Sequence, residues 1–227
     1  MHQNVKVTFT WLDVFSGKPT SQFSIAFEKA CVIFNLASIQ SQISQLQNRS
    51  ETEGMKRACA FFQNAAGTYN YINENFMHAP STDLSRESII VLSTVMLAQA
   101  QECFVEKTIA DGKKSSIVAK LAAETAYLYH TAFDTLVANK LRDHFDGVWS
   151  QVAQVYLCVS WPPASKLQCS KVKEQYFQAL AHYFSSMACE ENSKWGEAVA
   201  RLTKASEMLR DLVKLAEKMP DLPGPLY

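Results

Sequence analysis

The sequence predicts an all-α protein, an array of long antiparallel helices that follows one short N-terminal β-strand. Apolar residues recur every three or four positions through most of the chain, which is the spacing of helices that bury one face. The chain has only seven glycines and seven prolines in 227 residues, too few for the frequent turns of a β-sandwich or barrel. Both observations favour helices joined by short connections.

The first predicted element is the strand. Residues 5–11 alternate between apolar and polar types and are β-prone, so we expect a short strand or extended entry there. Residues 16–19 (Ser-Gly-Lys-Pro) then break the pattern. A first helix is expected over about 23–47, because this stretch keeps its apolar residues at helical spacing and contains no glycine or proline.

The next two helices carry recognisable boundary signals. Ser50 and Glu53 have the spacing of a capping box and predict the start of a helix that runs to about residue 76. Residues 80–83 (Pro-Ser-Thr-Asp) break that helix and offer N-caps for a third one. The Asp-Gly pair at 111–112 then predicts the end of the third helix.

The second half of the chain is also helical. A fourth helix, rich in Ala, Leu and Tyr, is expected near 114–139, and a helical stripe resumes at Val172. The last helix spans about 193–218, where residues from Trp195 to Ala216 form one apolar stripe. The helix pairs have roughly the length of tetratricopeptide units, but the full signature of that repeat is absent, so we predict a solenoid-like array without assigning a repeat.

Residues 155–171 do not fit the helical pattern. They contain Pro162, Pro163 and two of the six cysteines, and removing them leaves an unbroken helical stripe from Val148 onwards. Two interpretations stay open. The segment is either an ordinary loop between helices or an insertion, such as a retained intron in the gene sequence.

Charge and composition exclude several classes of function. Lys plus Arg and Asp plus Glu both number 22, which argues against a nucleic-acid binder with its usual basic surplus. The sequence has neither an apolar run of membrane-spanning length nor the pattern of a secretory signal. The six cysteines are far apart and form no C-x-x-C pair, so we expect a cytoplasmic protein with free thiols and neither a metal nor a cofactor.

No catalytic motif is recognisable in the sequence. The five histidines lack a metal-binding spacing, and the isolated glycines form no phosphate-binding loop. Cys103 and His130 are the one pair that would suit a nucleophile and its base, but two such residues on neighbouring helices more often serve packing. We therefore expect no enzyme activity, with a thiol enzyme that uses Cys103 or another cysteine as the alternative.

The most informative surface lies around the turn at 111–112. Phe104 precedes this turn, and Ile117 and Leu121 follow it as an i, i+4 pair, so a tight helical hairpin would bring the three side chains together. Four lysines flank them: Lys107, Lys113, Lys114 and Lys120. An apolar patch with a basic rim suits an amphipathic helix with acidic flanks, although apolar residues at this spacing most often belong to a core.

The stretches 96–107 and 116–122, around this hairpin, closely resemble the central motif of the Bro-one domain family of endosomal adaptors. The similarity continues in the same order over most of the chain and is strongest to the fungal vacuolar-sorting branch. The other similar stretches are 8–11, 13–15, 27–37, 41–43, 53–56, 62–67, 176–181 and 195–202. The segment 155–171 has no counterpart in the family, which favours the insertion.

The resemblance implies a curved, tetratricopeptide-like array that serves as a sorting adaptor or scaffold. In this family the domain binds the C-terminal amphipathic helix of an ESCRT-III subunit (Snf/CHMP-four type) in multivesicular-body formation and transport to the vacuole or lysosome. The positions that match the apolar contact are Phe104, Ile117 and Leu121, and Lys107 and Lys120 match basic positions beside it. An alternative is a scaffold of ambient-pH signalling that uses the same patch.

The resemblance also bears on the surroundings and extent of the chain. It implies a cytoplasmic protein that is recruited to endosomes and associates with the endosomal membrane only indirectly. It also implies that a deubiquitinase binds through regions absent from this sequence. Residues 1–227 match the central part of one domain, truncated at both ends. We therefore expect packing surfaces to be exposed.

Because exposed packing surfaces lower stability, we expect the isolated chain to melt below about 55 °C, the middle of the range for ordinary domains. Thermal unfolding followed by far-UV circular dichroism measures this temperature. A cooperative transition above it would contradict the expectation.

Overall fold

The computed structural model describes residues 7–76, 81–138 and 166–217. In this part of the chain two short strands lead into six helices, so the predicted all-α fold class is confirmed. The elements are β1 (Phe9–Leu12), β2 (Pro19–Gln22), α1 (Ile25–Gln45), α2 (Thr52–Asn75), α3 (Arg86–Ala110), α4 (Ser115–Ala138), α5 (Lys166–Glu191) and α6 (Trp195–Glu217).

Each helix packs against the next one along the chain, from α1 to α6. Such serial packing is typical of a solenoid, in which every unit contacts its neighbours in sequence. Two buried apolar clusters result from it. One is formed mainly by α1, α2 and α3 together with the β-hairpin, and the other is formed by α3, α4 and α5. Helix α3 therefore contributes to both clusters.

Helix α3 is the central helix of this array. Among the described helices, it is the one that is long and apolar enough to cross a membrane, but 67% of the relevant window is buried inside the molecule. Ile89 and Met96 are buried in the first cluster, whereas Ala98 and Val105 are buried in the second. This pattern is that of a core helix packed on two sides.

The predicted N-terminal strand forms as one half of a β-hairpin. β1 and β2 pair in antiparallel register, with Phe9 opposite Gln22. Gly17 adopts a φ of 65° in the connection, a conformation that favours glycine. The break predicted over 16–19 is thus the turn of the hairpin. The second strand was not predicted, because its sequence, PTSQ, lacks apolar alternation.

Asp83 does not cap α3, although the stretch before that helix was predicted to supply its N-cap. The observed cap is Ser85, whose hydroxyl accepts a backbone N–H of the first turn. Asp83 instead accepts the backbone N–H of Val14 at 2.9 Å, and Asp13 accepts the N–H of Asp83 at 3.3 Å. The prediction was wrong because Asp83 is held by tertiary contacts with the β-hairpin.

The capping box predicted from Ser50 and Glu53 is also absent. Helix α2 begins after Glu51, whose side chain makes no capping hydrogen bond. Ser50 donates its backbone N–H to Oδ1 of Asn48 at 3.1 Å. Gly54 lies so close to the backbone of Asn48 that a Cβ atom would clash there. The loop thus packs on the first turn of α2, and Ser50 is not in the capping position.

The predicted limits of α1, the ends of α2 and α3, and the starts of α4 and α6 agree with the structure within two residues. The predicted ends of α4 and α6, at 139 and 218, lie outside the described residues. The uncertain segment 155–171 lies mostly outside the described residues, so the insertion stays a hypothesis. Its last six residues, 166–171, are described, and they form the beginning of α5. This part of the segment is helical and not a loop.

The two outer helices of the described array expose apolar side chains. On α1, Leu36 and Ile39 are about half exposed, and on α6 Val199 is 65% exposed. Of the apolar stripe predicted on α6, the structure buries Ala205 and Leu212. Apolar side chains are therefore exposed on both outer helices, and the truncation of the domain stays a prediction.

A buried ionic cluster centred on Glu102 of α3 joins four parts of the chain. The Glu102 carboxylate accepts hydrogen bonds from Arg49 at 3.3 Å, from Lys173 at 2.7 Å and from the Tyr129 hydroxyl at 2.7 Å. Arg49 lies between α1 and α2, Tyr129 lies on α4 and Lys173 lies on α5. One carboxylate thus connects α3 to both neighbouring sides of the array.

The charge on Glu102 is stabilised by these partners. Burial raises the pKa of Glu102, but Lys173 and Arg49 together with the hydrogen bonds lower it by more, so the net shift is downward. A carboxyl group whose pKa is lower in the folded chain stabilises the fold when it is ionised. This contribution is present above the ordinary value of 4.5 and is lost as the pH falls through the folded pKa.

Removal of one partner of a buried ion pair leaves the other charge uncompensated. Lys173→Met, which keeps the length of the side chain, should therefore lower the free energy of unfolding by about 3 kcal/mol, measured by urea denaturation. Lys214→Met is the matched control. Lys214 and Asp211 form an exposed pair, which should contribute less than about 1 kcal/mol. Equal losses in the two variants would contradict the central role of the cluster.

Candidate functional site

The α3–α4 hairpin is closed by a tight turn. The backbone N–H of Asp111 donates to the carbonyl of Lys107 at 2.8 Å, and that of Lys113 donates to the carbonyl of Thr108 at 3.1 Å. Gly112 adopts a φ of 62°, as glycines that end helices commonly do. The helix end predicted from the Asp-Gly pair is confirmed, and the turn directs α4 back along α3.

The three apolar residues predicted to form a patch lie at the outer side of this hairpin. Phe104 is 50% exposed, Ile117 is 46% exposed, and Leu121 is half-buried. Phe104 lies six residues before the end of α3 and Leu121 six residues after the start of α4. Each is therefore about 9 Å from the connected end of its helix. The two residues are level across the hairpin, and Ile117 lies one turn nearer the connection.

The base beneath these residues is well packed. Val105 of α3 and Val118 of α4 are each 1% exposed, and Leu121 packs against the buried cluster that contains them. About half of Phe104 and of Ile117 is accessible to solvent. The alternative that these two are ordinary core residues is therefore wrong for the described chain.

Lys107 lies on the side of the patch that faces α2. Its Nζ atom is 3.0 Å from both carboxylate oxygens of Asp111. The pKa of Glu53 on α2 is lowered mainly by its hydrogen bond with Lys56, and Lys107 makes a smaller contribution through its charge. Lys107 is thus near α2, although one carboxylate of its own helix already compensates its charge.

Lys120 lies on the flank of α4 that faces α5 and α6. It is exposed and lines a cavity between α4, α5 and α6. Lys113 and Lys114 are exposed in the connection between α3 and α4. The structure therefore distributes the predicted lysine rim around the hairpin, with Lys107 and Lys120 facing different neighbouring helices.

The proposed thiol nucleophile is not supported by its surroundings. Cys103 is fully buried, and burial raises the pKa of its thiol to about 12. His130 contacts the carboxylates of Asp134 at 3.1 Å and Glu174 at 3.4 Å, and no hydrogen bond joins it to Cys103 in the part of the chain that the structure describes. A nucleophile and base pair is therefore not assembled.

Metal-ligand geometry is likewise missing within residues 7–76, 81–138 and 166–217, where no group of three His, Cys, Asp or Glu side chains could hold an ion.

The pKa values of three described thiols are raised, first of all by burial. These thiols are Cys31, Cys59 and Cys103. This direction is opposite to that of a reactive cysteine.

The cavity beside Lys120 was not predicted from the sequence. Ala119 and Ala123 of α4 line one of its sides, and Ala181, Ser185 and Ala188 line it on α5. Small residues spaced three or four apart on two helices were the available signal. Such spacing usually reflects close helix packing. It indicates a cavity only once the structure shows that these residues line one.

The family profile of the BRO1-like domain matches residues 1–222, almost the whole chain. The chain belongs to the BRO1-like domain family. The family predicted from the motifs around 96–107 and 116–122 is therefore confirmed. The hairpin and the array described above are parts of this BRO1-like domain.

Curated relatives match the BRO1-like chain over nearly its whole length. The vacuolar protein-sorting protein bro-1 of Neurospora crassa is 41% identical over 218 residues, which cover 96% of this chain and 20% of the relative. The tyrosine-protein phosphatase non-receptor type 23 of Mus musculus is 34% identical over 222 residues, which cover 96% of this chain and 12% of the relative. The chain thus spans about a fifth or less of these proteins.

Solved structures show the same fold. The ALIX BRO1 CHMP4C complex matches the chain with a TM-score of 0.79 and 30% identity, covering 94% of this chain and 57% of that one. A structure described as the basis for endosomal targeting by the Bro1 domain matches with a TM-score of 0.71 and 25% identity, covering 89% and 51%. The BRO1-like array is therefore supported by both sequence and shape.

Cys103 should resist alkylation in the folded protein, because a buried thiol with a pKa of about 12 is almost fully protonated at neutral pH. Iodoacetamide labelling followed by peptide mass spectrometry should modify Cys103 only after unfolding in denaturant. Preferential labelling of Cys103 in the native protein would contradict this and would favour the thiol-enzyme alternative.

Proposed function

We propose that this BRO1-like domain binds the C-terminal amphipathic helix of an ESCRT-III subunit and acts as a non-enzymatic adaptor in endosomal sorting. The observation that carries the proposal is the exposure of two apolar side chains, Phe104 and Ile117, on the two sides of the α3–α4 turn. Together with Leu121 we call them the hairpin patch. About half of Phe104 and of Ile117 is exposed, above a fully packed base. A surface of this kind is stabilised when a partner covers it.

The spacing of the hairpin patch suits a helical partner. Ile117 and Leu121 are one turn apart on α4, and Phe104 is level with Leu121 on α3. An amphipathic helix presents apolar side chains at the same intervals of three or four residues, so its anchors can pack between these positions. The rigid base beneath them limits the entropy that binding costs.

The lysines near the patch suit acidic flanks on that helix. Lys113 and Lys114 are exposed and make no ion pair within the part of the chain that the structure describes, so they are free to attract a carboxylate. Lys107 must exchange its contact with Asp111 for one with the partner. Exposed charges of this kind accelerate association and fix orientation more than they add affinity.

The comparisons favour endosomal sorting over ambient-pH signalling. ALIX, a protein with the same domain fold, is named in a complex with CHMP4C, and the fungal relatives are named for vacuolar protein sorting. We extend these roles to this chain as a cytoplasmic protein that is recruited to endosomes and reaches the membrane through its partners. A deubiquitinase would bind regions of a longer protein.

A charge placed in the hairpin patch should abolish helix binding. Ile117→Asp buries a carboxylate against the apolar face of the partner, and loss of a central anchor costs about 2 kcal/mol or more, roughly a thirtyfold rise in Kd. The measurement is fluorescence anisotropy with a labelled C-terminal helix of an ESCRT-III subunit.

Val137→Asp is the matched control for this experiment. Val137 lies on the same helix, is 49% exposed like Ile117 at 46%, and is about 30 Å farther along α4. Binding by this variant should equal that of the unmodified chain. If Ile117→Asp binds as tightly as Val137→Asp, the hairpin patch is not the binding site.

A further inference from the structure

A second concave surface lies between α4, α5 and α6, and we call it the α4–α6 groove. It has a volume of about 870 Å³. Helix α5 contributes small side chains to it, including Ala181, Ser185 and Ala188, while α4 contributes Ala119 and Ala123. Small side chains allow the backbone of another helix to approach closely, because interaxial distances depend on the side chains at the contact.

Cations dominate the charge of this groove. Lys120 of α4, Lys194 just before α6 and Arg201 of α6 line it. Lys194 forms a long, exposed contact of 3.7 Å with Glu197. Within the described part of the chain, Lys120 and Arg201 make no ion pair, so two positive charges at the groove are not compensated by the protein itself.

The carboxylate that lines the groove, Glu174, is already compensated. It is 3% exposed, and its oxygens contact Lys171 at 2.9 Å and His130 at 3.4 Å. It lies at the His130 end of the groove, whereas Lys194 directly precedes α6 and Arg201 lies on α6. The groove therefore has a basic wall on α6 without an opposing free carboxylate among its described lining residues.

His182 also lines the groove, and its pKa is shifted in the direction expected near positive charges. Its pKa is lowered first by burial and then by the positive charges of Arg201 and Lys204. Nearby positive charges disfavour the protonated imidazole, so they favour the neutral form of a histidine. The lowered pKa of His182 is thus a consequence of Arg201, which lines the groove, and of Lys204 beside it.

The α4–α6 groove is separate from the hairpin patch. Ile117 and Leu121 do not line it, whereas Ala123 and Tyr127 do. Successive residues of a helix are rotated by about 100°, which places Ala123 and Tyr127 on a different flank of α4 from Ile117. Lys120 lies between the two surfaces and can contribute to either.

We propose that the α4–α6 groove is a second docking site that binds an acidic helical segment of a partner protein. Its positive charge selects the acidic partner, and its small side chains admit a helix backbone. The groove follows α4 from Ser116 to His130, which is about 21 Å or four turns of helix. This site goes beyond the proposed function, because its occupant is distinct from the ESCRT-III helix on the hairpin patch.

The test uses a fluorescein-labelled 18-residue helical peptide of alanine and glutamate, with a lysine-for-glutamate peptide as its control. The acidic peptide should bind the full 227-residue chain and the basic one should not, and added salt should weaken the binding. Arg201→Glu should weaken it at least tenfold. Arg210→Glu, on the same helix but outside the groove lining, should stay within twofold.

Two further measurements separate this site from the hairpin patch. Ile117→Asp should leave the binding of the acidic peptide unchanged, and Arg201→Glu should leave the binding of the ESCRT-III helix unchanged. The ring resonances of His182 should shift when the acidic peptide is added, because a nearby negative charge favours imidazolium. Failure of the ESCRT-III binding alone would thus overturn the proposed function and not the groove.

Four outcomes would overturn the proposal. The first is that no peptide binds at about 1 mM, and the second is that Arg201→Glu and Arg210→Glu bind it equally well. The third is that Ile117→Asp loses peptide binding. The fourth is that the chain is retained on phosphatidylserine vesicles through Arg201 but does not bind the peptide. The last result would assign the positive charge to a membrane surface. Far-UV circular dichroism of both arginine variants confirms that folding is retained, since Arg201 and Arg210 are exposed.

Discussion

The contact of Glu102 with Arg49, Tyr129 and Lys173 constrains the whole described array. A carboxylate buried in α3 must find partners, because an uncompensated charge in a low-dielectric interior costs several kcal/mol. These partners come from the α1–α2 connection, from α4 and from α5. Satisfying this one group therefore fixes the relative positions of the elements on both sides of α3, including the hairpin that carries Phe104 two residues later.

The same arrangement explains how a serial array of helices presents two surfaces. Because α3 and α4 are packed on buried clusters, the residues at their outer sides are left on rigid supports. The hairpin patch is apolar and has lysines around it, whereas the α4–α6 groove is lined by small side chains and cations. Lys120 lies at the ridge of α4 between them. One helix thus separates two surfaces of different chemistry, and we propose a different helical partner for each.

Local patterns predicted the helices well and the contacts between distant residues poorly. The apolar period and the Asp-Gly pair at 111–112 locate α3 and α4 because these signals depend on nearby residues. Asp83 was assigned the wrong role because its partner, Val14, is far away in sequence. The partnership of Glu102 with Lys173 likewise has no local signal. The positions of Phe104 and Ile117 on the two sides of one turn were predictable from local signals, while the α4–α6 groove needed three helices to be placed.

Binding at the hairpin patch is tested most directly by methyl NMR of the chain, with labelled Ile, Leu and Val side chains, during titration with the C-terminal helix of an ESCRT-III subunit. If the helix binds the hairpin patch, the largest shifts should occur at the methyl groups of Ile117 and Leu121, with Val137 unchanged. Shifts at Val199 and Leu202 of α6, with Ile117 unchanged, would show that the helix binds elsewhere and that the hairpin patch is not its site.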